Sequence, residues 1–374
     1  MLKIKFFHLG IGGLLNSLRQ YIFMNNVLRR FFMKRVITLI VALCLLLGVT
    51  GCSFSAEKEY TLGLGIIPSI ATNTKETAQF DATVAVVALN EDGRIVKCKI
   101  DAIQNKVAIK GGVLDSQAFN STFLTKQEKG DSYGMAAASG IGKDWYQQAD
   151  HFASYVAGMT VDQVAAIATK PNDYGSPVAA DDAILSGCTI AIPDFISAVV
   201  EACNDKNYKS FKASELKLGI AARTSLDESS ASATVDLEGK VVFNVDVSAV
   251  ATDSSNKIHA AIVDTIVPEI SFNSLGEVTV KEGVNLFSKR ESGSAYGMKT
   301  ESSIGKEWFE QTNAFEDYVI GLDAVGINSI KTEKGDNGIV AAEDDLKAGC
   351  TIAVDGLMAV LQKAINLADM GSKS

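Results

Sequence analysis

Residues 133–158 read YGMAAASGIGKDWYQQADHFASYVAG, and residues 296–321 read YGMKTESSIGKEWFEQTNAFEDYVIG. Half of the positions are identical and no gap is needed, a self-similarity that marks an internal duplication. A second match follows each copy: AADDAILSGCTIA from Ala179 and AAEDDLKAGCTIA from Ala341. The chain is therefore expected to carry one module twice, with the same two landmarks in the same order.

The duplicated stretch has a helical period. Trp145, Phe152 and Val156, and likewise Trp308, Phe315 and Val319, recur at i, i+7 and i+11, which places them on one face of a helix. Ser139 and Ser302 stand where an N-cap is expected. A core-facing indole is the commoner role for such a tryptophan, and stacking on a planar cofactor is the alternative. Tyr133 and Tyr296 are candidates for the same stacking role. Lys143 and Lys306 follow a glycine and either reach a phosphate or stay solvated. In the second landmark, Gly187-Cys188-Thr189 and Gly349-Cys350-Thr351 precede apolar-periodic runs, residues 195–202 and 357–367, that read as helices. A glycine and a hydroxyl residue ahead of a helix offer free N–H groups and a positive dipole end to an anion. A plain turn explains the same residues.

Upstream of each helical stretch the period is two. Residues 60–70 and 83–89 alternate apolar positions, Asn90-Glu91-Asp92-Gly93 is a turn, and residues 94–103 return as a strand. Residues 241–250 and 257–267 repeat the hairpin around Asp253-Ser254-Ser255-Asn256. Asp101 and Asp264 match in the returning strands and are expected to be solvated or bonded to a loop. The fold class implied is α+β, two similar tandem domains, each a small antiparallel sheet packed with helices. Residues 60–203 form the first repeat, 204–215 a polar link and 216–370 the second repeat.

Residues 1–51 hold seven Lys or Arg and no acid, so the remainder carries 44 acids against 35 − 7 = 28 bases, a net charge of 28 − 44 = −16. The apolar run at 36–49 follows Met33-Lys34-Arg35 and is shorter than the roughly 20 residues of a membrane span, so it reads as the core of a secretory signal. Val49-Thr50-Gly51-Cys52 has the form of a bacterial lipobox, after which Cys52 is lipidated. Met33 is then the expected start. Residues 52–59 are a tether, and the rest lies outside the cytoplasmic membrane, anchored by acyl chains. Cys188 and Cys350 duplicate each other, Cys98 aligns with Ala261, and Cys203 has no clear twin. Buried thiols are expected and not a disulfide framework.

A hairpin with a D-G-R-I turn, a returning strand, an I-G-K segment and a final S-G-A-T-like tetrapeptide opening the last helix together resemble the FMN-binding domain of bacterial surface flavoproteins. The resemblance implies that Thr189 and Thr351 are flavin acceptors, preceded by Gly187 and Gly349, with Asp345 as the acid of the D-x-x-[ST]-G-A-T-x-[ST] pattern. The first copy has Ala183 at that acid position. Both copies place cysteine, Cys188 and Cys350, where the family has alanine, and Ala191 and Ala353 where it has Ser or Thr. The implied cofactor is FMN, and the implied role is electron relay at the cell surface with a membrane or surface redox protein as partner.

Other classes fit less well. His8 lies in the leader, and His151 and His259 have no counterparts in the other copy, so no duplicated triad or metal site exists. No phosphate-binding P-loop is present, and the negative charge disfavours nucleic acid. Two readings stay open: a flavin-binding electron carrier, and a non-catalytic surface or envelope binding module that keeps the scaffold without the cofactor. Exposure or burial of Thr189 and Thr351 separates them.

Overall fold

The computed structural model describes residues 56–70, 75–280, 286–336 and 338–369; the leader, the lipobox and Cys52 lie outside them. In chain order the first copy contains β1 (Lys58–Ile70), β2 (Thr77–Leu89), β3 (Ile95–Lys110), β4 (Val113–Leu114), α1 (Lys126–Lys129), α2 (Trp145–Tyr155), α3 (Val161–Ala165), β5 (Thr169–Pro171), β6 (Pro177–Ala179), α4 (Asp182–Leu185) and α5 (Pro193–Cys203). After β7 (Lys209–Ala213) the second copy runs β8 (Lys217–Ser225), β9 (Gly239–Val242), β10 (Asn244–Thr252), β11 (Ile258–Ile266), β12 (Glu269–Phe272), β13 (Val278–Thr279), α6 (Lys289–Ser292), α7 (Trp308–Tyr318), α8 (Ala324–Asn328), β14 (Thr332–Gly335), β15 (Gly338–Ala341), α9 (Asp344–Lys347) and α10 (Asp355–Asp369). The fold is α+β, with antiparallel sheets.

Strand alternation decides the layers. Along β2, Val84, Val86 and Ala88 belong to one core while Ala85 and Val87 belong to another. The first of these cores also contains Leu218, Ile220, Val245, Val247 and Ile262 of the second copy, so the inner faces of the two sheets pack on each other. The outer face of β2 and β3 is covered by α2 and α5, and the outer face of β10 and β11 by α7 and α10. Strand β10 is covered on both sides, so Val245 to Thr252 are all buried although Asp246, Ser248 and Thr252 among them are polar.

The first sheet has the order β4-β3-β2-β1-β7. Its outermost strand β7 comes from the stretch expected to be a polar link, and it pairs with β1 from Lys58↔Ala213 to Leu62↔Lys209. In the second copy the long hairpin is split. Residues 241–250, expected as one strand, divide at Phe243 between β9 and β10, and the returning strand divides at Val267-Pro268 between β11 and β12. Pro268 has no N–H to give a ladder, and its carbonyl instead accepts the Phe243 N–H at 3.1 Å. The ladders accordingly divide into β11-β10-β8 and β13-β12-β9.

Two glycines record how closely the outer helices approach. A Cβ at Gly63 would lie 1.9 Å from the Ala202 carbonyl oxygen, and one at Gly219 would lie 2.0 Å from that of Ala364. The last helix of each copy thus rests on the same point of its sheet.

Candidate functional site

The two landmarks meet in space. The helices α2 and α7 begin at the tryptophans, and their N-caps are Asp144 and Glu307, not Ser139 and Ser302. Each cap N–H is bonded by the residue three on, Gln147 Oε1 at 2.9 Å and Glu310 Oε2 at 2.8 Å. The Asp144 carboxylate accepts the Met135 and Ala136 N–H groups, and the Glu307 carboxylate accepts that of Met298, so the cap anchors the Y-G-M loop. The serines do something else: Ser139 Oγ accepts from Gln148 Nε2 and Ser302 Oγ from Gln311 Nε2, both at 3.2 Å.

Gln148 and Gln311 are the residues that join the landmarks. Both are buried. Each Nε2 also donates to the carbonyl of Lys143 or Lys306, at 3.0 and 3.2 Å. Each Oε1 accepts from both groups of the threonine: Thr189 N at 2.9 Å and Oγ1 at 3.3 Å, Thr351 N at 2.8 Å and Oγ1 at 3.1 Å. The candidate acceptor threonines are therefore half-buried and held by a fixed side-chain amide, in the same way in both copies. The signal for this was present in the sequence: a glutamine at the third position after each tryptophan, identical in the two copies.

The Gly-Cys-Thr turns lie at the C-terminal ends of the short helices α4 and α9, where Cys188 N and Cys350 N each bond back at 2.8 Å, to Ile184 O and Leu346 O. The long helices begin later, at Pro193 and Asp355. Gly187 is explained by packing, because a Cβ there would lie 2.2 Å from the His151 ring; at Gly349 it would lie 2.7 Å from Ala314, the residue matching His151. Cys188 and Cys350 are buried, and burial pushes each thiol up to about 11 against the opposing pull of nearby Lys143 and Lys306. Asp345 is exposed in the first turn of α9.

The aromatic candidates carry a cation. Lys126 Nζ sits 5.1 Å from the Tyr133 ring centre and 5.3 Å from that of Trp145. Lys289 repeats this at 5.3 Å from Tyr296 and 5.4 Å from Trp308. Trp145 and Trp308 face the core, only 4% exposed each.

Asp101 and Asp264 are buried and bond the first turns of the short helices α1 and α6, in contrast to the solvated alternative. Asp101 Oδ1 accepts the N–H of Ala102 and Gln127, and Asp264 Oδ1 that of Thr265 and Arg290. Burial raises Asp101 to about 7 and Asp264 to about 6, with hydrogen bonds opposing the rise.

Around these acids the copies diverge. In the second, the buried Arg290 guanidinium bonds the Val263 carbonyl at 2.6 Å, Thr312 Oγ1 at 3.2 Å and Asn313 Oδ1 at 3.1 Å, and pairs with buried Glu316. Lys209 of β7 adds an ion pair to Glu316 at 2.9 Å. In the first copy the matching residues are Gln127, Ala149, Asp150 and Ala153. There the space is a cavity of about 910 Å³, lined among others by Lys99, Asp101, Gln127, Asp150, Leu218 and Ile220. Among the described residues no group of His, Cys, Asp or Glu is placed to hold a metal ion, and no helix is long and apolar enough to cross a membrane.

No protein-family model matches the chain, and no solved structure matches it. One stretch is 28% identical to the protein named chlorophenol reductase from Desulfitobacterium hafniense. The match covers 29% of this chain and 38% of the length of that reductase.

Proposed function

We propose that the chain is a lipid-anchored extracytoplasmic lipoprotein that binds FMN at its duplicated threonine centres and relays electrons at the cell surface. The observation that carries this reading is the repeated constellation of a half-buried threonine, a glutamine that holds its N–H, and a lysine beside the turn. The donor set suits the phosphate end of the cofactor. A phosphoester on Oγ1 would form with loss of the hydroxyl proton and of the leaving group of an activated flavin phosphate, while the Thr N–H bond to Gln148 or Gln311 keeps the turn in place and the Lys143 or Lys306 ammonium would offset phosphate charge. The flavin, when bound, supplies the redox chemistry, and the chain supplies attachment, charge and exclusion of water. The likeness to a protein named as a reductase supports a redox setting.

The test is the visible absorbance of the purified chain, followed by denaturation and mass analysis of peptides containing Thr189 and Thr351. Flavin attached to either peptide, and lost in Thr189→Ala and Thr351→Ala, supports the reading; colourless protein produced with its native export and cofactor supply overturns it.

A second reading, a non-catalytic surface binding module, is favoured by other contacts. The aromatic faces already hold Lys126 and Lys289, the Gly-Cys turns pack against His151 and Ala314, and the open cavity lies at the β3 edge. Under this reading the cavity is the binding site and the threonines are turn locks.

A further inference from the structure

Cys98 and Cys203 have no duplicated cysteine partners; both are free thiols in the structure, near enough that Cys203 acts electrostatically on Cys98. The register pairs Gly63 with Val87 and Val87 with Cys98, so these three residues form a row across β1, β2 and β3. Direct cross-strand partners share a face. Val87 belongs to the helix-facing core, and Gly63 lies under the Ala202 carbonyl. The row is therefore the one on which the last turn of α5 rests, and Cys203 is the final residue of that helix. Both cysteines pack against the same core cluster.

The second copy contains the same row and shows what normally fills it. Gly219 pairs with Val250, Val250 pairs with Ala261, and Gly219 lies under the Ala364 carbonyl. Ala364 thus matches Ala202, and Ile365 is the counterpart of Cys203. Ala261 and Ile365 are both buried in one cluster. Where the second copy has an apolar pair, the first has two thiols, and in each copy both residues belong to or pack against the core between the last helix and its sheet.

We propose that Cys98 and Cys203 form a disulfide that ties the C-terminal end of α5 to β3. Two thiols give up two protons and two electrons, the S–S bond forms, and the disulfide of an acceptor is cleaved to two thiols. This rests on the extracytoplasmic location proposed above, where a protein disulfide oxidant is the acceptor of this class. Burial pushes both thiols up, Cys203 to about 11, and the nearby Cys203 adds to the effect on Cys98. Cys188 and Cys350 sit in matching turns of separate copies and stay reduced.

The experiment is refolding of the reduced, denatured full chain in a mixture of oxidised and reduced glutathione. Remaining thiols are then blocked with N-ethylmaleimide under denaturing conditions, and peptides are mapped by mass spectrometry. The expected result is one cross-linked peptide pair containing Cys98 and Cys203, two hydrogens lighter than the sum of its parts, with Cys188 and Cys350 labelled. Maleimide on both Cys98 and Cys203, or a cross-link to Cys188 or Cys350, overturns the proposal. Cys98→Ala, which installs the residue the second copy carries, is expected to fold, to leave Cys203 labelled, and to remove the drop in melting temperature that reductant causes in the unaltered chain. An equal drop in this variant also overturns it.

Discussion

Replacing Glu316 by alanine should be among the most damaging single changes in the chain, and pairing it with Arg290→Gln should recover part of the loss. The Arg290 and Glu316 side chains are 2% and 1% exposed. Removing Glu316 leaves a guanidinium out of water without its carboxylate, and breaking such a buried pair costs about 3–5 kcal/mol. It also strips the Val263 N–H of its 2.7 Å acceptor and Lys209 of its nearest acid. Arg290→Gln alone is milder, about 1–3 kcal/mol, because Glu316 keeps Lys209 and the Val263 N–H.

The first copy contains the double replacement as its natural state. Gln127 stands in place of Arg290 and bonds the Ile100 carbonyl and Asp150 Oδ1, both at 3.0 Å, while Ala153 stands in place of Glu316. A glutamine at position 290 has the matching Val263 carbonyl and Asn313 Oδ1 within reach. The double variant should therefore be more stable than the sum of the singles by at least about 1 kcal/mol, the size expected of contacting residues. Guanidinium chloride unfolding of the four proteins, with a common slope, gives this coupling directly. Losses that add to within about 0.5 kcal/mol would refute a shared buried pair.

Three further outcomes are expected. Asp101 and Asp264 have folded-state pKa values raised from the ordinary 3.8 to about 7 and about 6, so the folded chain binds more protons than the unfolded one between these limits. Stability should then fall as pH rises from about 4 to about 7, by up to about 1.4 kcal/mol per unit for each acid, and melting curves of Asp101→Asn should show a shallower fall. Gly63→Ala drives a methyl into the Ala202 carbonyl, 1.9 Å away, and should cost about 1–3 kcal/mol by chemical denaturation, whereas Gly93→Ala, with open space around it, should lose only what its positive φ of 70° demands. Gln148→Ala removes the acceptor of the Thr189 N–H and should cost about 1–3 kcal/mol, with faster hydrogen exchange at Thr189 as the local signature.

The helix faces and the first strand hairpin were legible because each rests on spacing within one segment. Trp145, Phe152 and Val156 share a buried face as their i, i+7, i+11 spacing requires. The mutual packing of the two sheets was not legible. Alternation along β2 reveals that Val84 and Val86 are buried, and it is silent on whether a helix or another sheet covers them. The strand β7 was hidden for a related reason: Lys-Ser-Phe-Lys-Ala alternates only weakly, and its pairing is fixed by the β1 edge beside it. Gln148 and Gln311 were visible as identities, yet a polar residue within a helix is ordinarily assigned to solvent. Their burial follows from Thr189 and Thr351, which lie 41 and 40 residues away in the chain.

The copies agree at the threonine centres and disagree at the β3 and β11 edges, and this difference can be turned into a count. A cofactor held by Thr189 and Thr351 meets the same glutamine, serine and lysine in each half, so loading should reach two per chain with similar affinity. A ligand of the cavity meets Asp150, Ala153 and Ser154 in the first copy, whereas the corresponding Asn313, Glu316 and Asp317 are engaged by Lys209 of β7. That ligand should therefore bind once. Titration of the purified chain with FMN, monitored by flavin fluorescence, distinguishes the cases. A ratio of two that drops to one in Gln148→Ala supports the threonine centres. A ratio of one, insensitive to Gln148→Ala and abolished by filling the cavity with Ala153→Glu, moves binding to the β3 edge.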